Sequence, residues 1–293
     1  MPVLVTGATG FVGRSVVREL RSRTHVVRAL ARSDAAEQTV RELRAQPVRG
    51  SLADLDVLRR EALGADAVVH CAFDYNPSAD GVALERAALE TLLDALPAGR
   101  TFIYTSGVWV YGSRGDASVD EKAPLAPIPI VAWRPAHEEL VLAHDGRLRA
   151  AVIRPGIVYG DGGGIPGQFM EAARAGMLRI IGDGANRWPT VRHDALGELY
   201  GLIVDRLDAH GIFNAVRGAS VPYGEVVNAC ARAAGIEAPV ESITLEAARG
   251  MLGPFADALV LDQTIDATKA ERELGWEPHR PTLLEELAAS VVV

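Results

Sequence analysis

Apolar residues in this chain alternate between short unbroken runs and stretches spaced three and four apart. Val3-Leu4-Val5 is short enough only for a strand, whereas Val16, Val17 and Leu20 keep helical spacing within residues 14–20. Residues 25–31 form a second apolar run. Residues 55–63 then carry Leu55, Leu58 and Leu63 on a helix, and residues 67–72 read as a buried strand. Leu84, Ala87, Ala88, Leu92 and Leu96 return to helical spacing. Residues 152–160 read as another strand and its exit, 169–173 as helix, and Leu196, Leu199, Tyr200 and Ile203 as helix again. A returning strand at 213–216 and a helix from Pro222 follow. Strands alternating with helices in this way predict an α/β fold, a doubly wound parallel sheet of the Rossmann type.

Between the first strand and the first helix lies Thr6-Gly7-Ala8-Thr9-Gly10-Phe11-Val12-Gly13. In that context Gly7 permits a tight turn, Gly10 lets the backbone approach a pyrophosphate, and Gly13 lets helix and strand pack closely. The helix N-terminus adds free amides and a positive dipole end. Gly7, Thr9, Gly10, Phe11, Val12 and Gly13 are therefore the expected dinucleotide loop. Residues 1–160 are expected to form the dinucleotide-binding part. Residues 161–293 should form a smaller, mainly substrate-binding part, with segments at about 190–217 returning to the first.

The second strand ends in Ala31, followed by Arg32 and Ser33. An acid at that place hydrogen-bonds the ribose of NAD, whereas arginine clamps a 2′-phosphate through paired hydrogen bonds. The missing acid favours NADP(H) over NAD(H), and Arg28 adds to the same field.

The composition, 48% hydrophobic and 23% charged, is that of a globular chain with a large core. A net charge of −8 without a basic block argues against nucleic acid or an anionic membrane as partner. Cys71 and Cys230 offer neither a disulfide framework nor metal-ligand spacing, so no metal is expected. No apolar run reaches membrane-spanning length, and the chain enters its first strand at once. Cytoplasm is the expected compartment.

Thr-Gly-x-x-Gly-x-x-Gly ahead of the first helix resembles the short-chain dehydrogenase/reductase superfamily in its extended or atypical branch, and later motifs extend the likeness nearly to the C-terminus. Residues 27–33 are similar to the NADPH-using dihydroflavonol-reductase-like members. The resemblance implies that Ser51 and Leu52, standing where the family has Gly-Asp-Leu, contact adenine. It puts Cys71, Ala72 and Phe73 at the end of a strand beneath the cofactor, with Asp74 and Tyr75 in a loop toward substrate; His70 reads as a packed strand histidine. Arg154-Pro155-Gly156-Ile157-Val158-Tyr159-Gly160 matches Arg-Pro-x-x-Val-Tyr-Gly, whose backbone meets the nicotinamide carboxamide, so Pro155, Gly156 and Ile157 are implied cofactor contacts. The glycine-rich residues 161–167 are expected to be a mobile crossing into the substrate-binding part. A homodimer is what the family suggests.

The family's catalytic elements are altered. Residues 101–112 resemble its Ser-Ser-x-x-x-Val-Tyr-Gly, but Gly107 stands at the catalytic hydroxyl, with Thr105 and Ser106 beside it. No tyrosine has a lysine four residues later, because the lysines are Lys122 and Lys269. His137-Glu138-Glu139-Leu140-Val141-Leu142 resembles the segment after that motif, which places Arg134 at the lysine and Ile130 at the tyrosine. Arg134 is a candidate to hold the ribose, yet its fixed charge cannot relay protons. Substitute donors are Ser106, Tyr111, His137 and Tyr159, with Ser106 and Tyr111 first. The two tyrosines each lie in a Val-Tyr-Gly, where a ring anchoring a loop is the other reading. Trp109, Trp133 and Tyr159 suit a wall around an apolar substrate; the tryptophans equally suit a core.

Three functions follow: an NADP(H)-dependent oxidoreductase acting on a carbonyl, imine or conjugated double bond of a small apolar molecule, an epimerase or dehydratase, or a cofactor-binding sensor without catalysis. The first fits the missing acid and the retained pocket motifs.

Overall fold

The computed structural model describes residues 1–74 and 80–290. Seven strands make the central sheet: β1 Pro2–Thr6, β2 Val26–Ala31, β3 Gln46–Arg49, β4 Ala67–His70, β5 Thr101–Thr105, β6 Arg149–Pro155 and β7 Gly211–Ala215. Their spatial order is β3-β2-β1-β4-β5-β6-β7, and every neighbouring pair is parallel. The order reverses between β1 and β4, which opens a crevice at their carboxyl ends.

Eight helices matter to the site: α1 Phe11–Ser22, α2 Asp34–Glu42, α3 Leu55–Leu63, α4 Gly81–Ala95, α5 Arg134–Leu142, α6 Gly164–Arg174, α7 His193–Asp205 and α8 Tyr223–Ala233. Side chains of β1 alternate between two cores, as a strand dictates. Val3 and Val5 pack with Val16, Val17 and Leu20 of α1 and with Leu196, Leu199 and Ile203 of α7. Leu4 points the other way, to Leu58 of α3 and Leu89 and Leu92 of α4. Both faces are thus covered, which is why β4 is buried along its whole length.

The chain past β6 builds a separate apolar cluster from Phe169, Trp188, Tyr223, Val226 and Leu283. It also returns to the sheet, since α7 lies against α1 and β7 forms the edge beside β6. The glycine-rich residues after β6 cross directly between two regular elements. Residues 157–160 form a short strand and α6 already begins at Gly164. The glycines serve close approach: a Cβ on Gly163 would lie 2.4 Å from the Phe11 ring, and one on Gly164 (φ +71°) 2.1 Å from the Val158 carbonyl. Among the described residues no helix is long and apolar enough to cross a membrane.

Candidate active site

The loop after β1 has the geometry its glycines require. Gly7 has φ +72°, and a Cβ there would fall 2.7 Å from the Cys71–Ala72 backbone, which runs just past β4. A Cβ on Gly13 would meet the Gly7 carbonyl at 2.0 Å. Gly10 is exposed, and a Cβ there would meet only the Gly7 carbonyl, at 3.3 Å, so its outer side is open. An exposed glycine at the start of a twelve-residue helix is a fitting seat for a pyrophosphate. Arg32 is exposed at the end of β2 and has no hydrogen bond or ion pair among the described residues. Arg28 differs from its expected part in that field: it donates to the Glu61 carbonyl at 2.8 Å and pairs with the Glu61 carboxylate at 3.0 Å. The residues present therefore fit a dinucleotide along the carboxyl ends of β1, β2 and β4.

Two implied adenine contacts are engaged elsewhere. The Ser51 amide and hydroxyl both donate to Asp54 at 2.7 Å, and Leu52 is buried among Leu30 and Leu58.

Beyond β5 and β6 lies a cleft of about 650 Å³. Phe11, Phe73, Ser106, Trp109, Trp133, Arg134, Pro155, Gly156 and Ile157 all line it, as do Ile130, Val131, Ile165, Gln168 and Phe255. Both positions of the missing Tyr-x-x-x-Lys thus face the cleft, as Ile130 and Arg134. Arg134 donates to the Thr105 carbonyl at 2.9 Å, and its guanidinium lies 4.4 Å over the Trp133 ring. Trp133 stacks on Phe73 with centroids 4.7 Å apart, and Trp109 meets Phe255 edge-on at 6.1 Å. Five aromatic rings with few polar groups make a surface for an apolar ligand.

Ser106 reaches the cleft from the end of β5, and its hydroxyl donates to Glu138 of α5. Glu138 is gripped by one edge of Arg154, through Nε and Nη2, with Nε 3.0 Å from Oε1. Arg154 also donates to the Tyr111 hydroxyl at 2.7 Å, which donates to Asn214 at 2.8 Å. Tyr111 is fully buried and does not line the cleft, because this network turns its phenol inward. Burial pushes its pKa up, more than the neighbouring Arg154 pulls it down. Tyr159 likewise points away: its hydroxyl donates to the Pro281 carbonyl at 2.6 Å, and burial pushes its pKa up to about 12. Neither phenol reaches the cleft as a donor or a wall.

On the other side of α5, His137 Nδ1 lies 2.9 Å from Glu85 and His70 Nε2 stands 3.6 Å from the second Glu85 oxygen. Thr6 meets His70 Nδ1 at 3.0 Å, and His137 supports Trp133 edge-on at 5.0 Å. Cys71 and Thr105 sit below the cleft: the Thr105 hydroxyl lies 3.2 Å from Cys71 Sγ and 2.7 Å from the Tyr200 hydroxyl. Burial pushes the Cys71 thiol up to about 11. Asp74 packs its carbonyl against Gly81, and Tyr75 lies outside the described residues.

Glu138, Gln168 and Phe255 are site residues that sequence reasoning did not assign. Glu138 was visible only as a register mark, and Gln168 and Phe255 carry no local signal.

A sequence model described as the NAD dependent epimerase/dehydratase family matches residues 3–215. An uncharacterized protein of Schizosaccharomyces pombe is 30% identical over 297 residues, covering 99% of each chain. The 4-hydroxy-2-methyl-3-oxo-4-farnesyl-3,4-dihydroquinoline-1-oxide ketoreductase of Stigmatella aurantiaca is 29% identical over 94% of this chain and 92% of its own. Among solved structures, human epimerase family protein SDR39U1 (isoform 2) with NADPH superimposes with a TM-score of 0.80 at 21% identity, covering 99% of both chains. The dTDP-glucose 4,6-dehydratase DesIV of Streptomyces venezuelae, with NAD and TYD bound, gives 0.81 at 26% identity, covering 99% of this chain and 96% of that one.

Proposed function

The chain belongs to the NAD dependent epimerase/dehydratase family, in the extended short-chain dehydrogenase/reductase class, and from that premise we propose that it is an NADP(H)-dependent reductase of a small apolar carbonyl, imine or conjugated double bond. The observation that carries this reading is the make-up of the cleft. Ile130 stands where a sugar-processing relative would hold its tyrosine, and the walls are aromatic rather than polar. Such a surface desolvates a flat apolar molecule and leaves a nucleotide sugar's hydroxyls and phosphates unmatched. The named ketoreductase among the relatives is consistent with this chemistry.

When bound, the nicotinamide supplies hydride. Gly7, Thr9, Gly10, Phe11, Val12 and Gly13 would hold the pyrophosphate by backbone approach, Arg32 the 2′-phosphate, and Arg134, which lines the cleft, the ribose at the nicotinamide end. Cys71, Ala72, Pro155, Gly156 and Ile157 border the cofactor along the strand ends. Phe73, Trp133 and Trp109 orient the substrate and exclude water. Ser106 is the hydroxyl available to the reacting oxygen or nitrogen. Its own proton is held by Glu138, which fixes its rotamer, so Ser106 would accept a hydrogen bond from a water that delivers the proton and leaves as hydroxide to bulk solvent.

The test is a single-turnover experiment that follows NADPH absorbance with a panel of aryl ketones, enones and cyclic imines. Oxidation by an apolar carbonyl compound, lost about a hundredfold in Ser106→Ala, is the expected result. Absence of turnover with every class, despite tight NADPH binding, would instead favour a cofactor sensor. Turnover of a nucleotide sugar would favour an epimerase or dehydratase.

A further inference from the structure

The end of β2 is surrounded by more positive charge than the order of residues shows. Strands β1 and β2 are neighbours, with Val5 opposite Ala29, so the glycine loop and Arg32–Ser33 leave the sheet side by side. On the far side, Arg49 of β3 stands opposite Ala31, directly beside Arg32. Arg14, in the first turn of α1, is exposed and donates through Nε to the Thr9 carbonyl at 2.9 Å. Its side chain lines a groove between α1 and α2 together with Arg18 and Thr39. Arg14 has no carboxylate partner among the described residues, and so keeps its terminal N–H groups for an anion.

Ser33 caps α2, and the helix continues with Asp34 and, one turn on, Glu37. Two carboxylates here would repel a phosphate bound at Arg32. Arg49 answers both: its Nη1 donates to Asp34 at 2.6 Å and to Glu37 at 3.1 Å, where Arg41 also holds the second Glu37 oxygen at 2.7 Å, so Asp34 is the acid that depends on Arg49 alone. Opposite charges this close cancel each other's field toward a third.

We propose that Arg14 is a second cation of the 2′-phosphate site, and that Arg49 sets the same cofactor preference indirectly by neutralising Asp34 and Glu37. This rests on the NADP(H) reading above. Arg32 and Arg14 then close on the phosphate from two sides, one from β2 and one from α1. Arg49 acts as a positioning residue through the acids.

The test is equilibrium fluorescence titration with NADPH and with NADH on the full chain. Arg14→Ala is expected to weaken NADPH binding about tenfold, the size of one charge-assisted contact, and to move NADH by less than about twofold. Arg49→Ala is expected to weaken NADPH about threefold, and adding Asp34→Asn to it should restore most of that loss. An Arg14→Ala protein that binds NADPH as tightly as wild type, or that loses NADH equally, overturns the role of Arg14. A loss in Arg49→Ala that Asp34→Asn does not relieve overturns the neutralisation. A wild-type protein without preference for NADPH overturns the cofactor reading itself, a result visible before any variant is made.

Discussion

Helix α5 separates two buried polar networks of opposite character. On one side Glu138 is held by one edge of Arg154, and the chain of contacts runs on from its Nη1 through Tyr111 to Asn214. On the other, Glu85 lies between His137 and His70, and His70 Nε2 is buried with no hydrogen-bond partner among the described residues. The first is a guanidinium–carboxylate pair, and it ends on the reactive-side hydroxyl of Ser106. The second joins one carboxylate to two imidazoles, and it supports the aromatic wall through His137 and Trp133. The same helix thus fixes the polar end of the cleft through a guanidinium and its apolar wall through an imidazole.

The largest effect that would break this contrast is on stability. Glu138→Ala leaves the Arg154 cation buried without its partner, which should cost about 3–5 kcal/mol. Thermal unfolding is expected to move down by roughly 10 °C. The double variant Glu138→Leu, Arg154→Met should recover most of it. A single variant that melts within a degree or two of wild type would mean that the pair is not the fixed element described.

Glu85→Gln sharpens the other side. Burial pushes the Glu85 carboxyl up, but the His137 hydrogen bond and nearby His70 outweigh it and hold it below the ordinary value. A lowered folded value means that its contribution is full above the unfolded pKa of about 4.3 and is lost as pH falls through the folded one. The variant should therefore be about 1–3 kcal/mol less stable than wild type at neutral pH, with the gap closing as pH falls through the lowered folded value. A stability gap that does not shrink in acid would refute the lowered value at Glu85.

The smallest effect expected is at Tyr111. Removing its hydroxyl in Tyr111→Phe leaves Arg154 and Asn214 each short of one bond, costing about 1 kcal/mol, with turnover changed less than about twofold. A tenfold fall in turnover at unchanged stability would restore Tyr111 as the proton donor.

The contrast also shows what sequence can carry. The dinucleotide loop is legible because its geometry dictates residue type: φ +72° at Gly7 and the carbonyl contact at Gly13 admit little else. Arg134 and Ile130 were legible by register, since a helix keeps its spacing even when its chemistry changes. Tyr111 and Tyr159 were not, although each sits in the same Val-Tyr-Gly. What turns their phenols inward is Asn214, 103 residues on, and the Pro281 carbonyl, 122 residues on. Gln168 and Phe255 join the cleft only through the chain's return past β6, which no local pattern announces. The positive patch around Arg32 was equally hidden, because Arg14 and Arg49 come from other elements.

The placing of α7 and β7 also has a consequence for synthesis. A ribosome completes the cofactor loop and six central strands long before residues 193–215 emerge. Until then β6 is an open edge, and Val16, Val17 and Leu20 of α1 lack the helix that covers them. The nascent chain therefore carries a sticky strand and a bare apolar face for some sixty residues of elongation, several seconds at about 5–20 residues per second. Its most aggregation-prone moment comes after the cofactor cradle is built and before its lining is sealed.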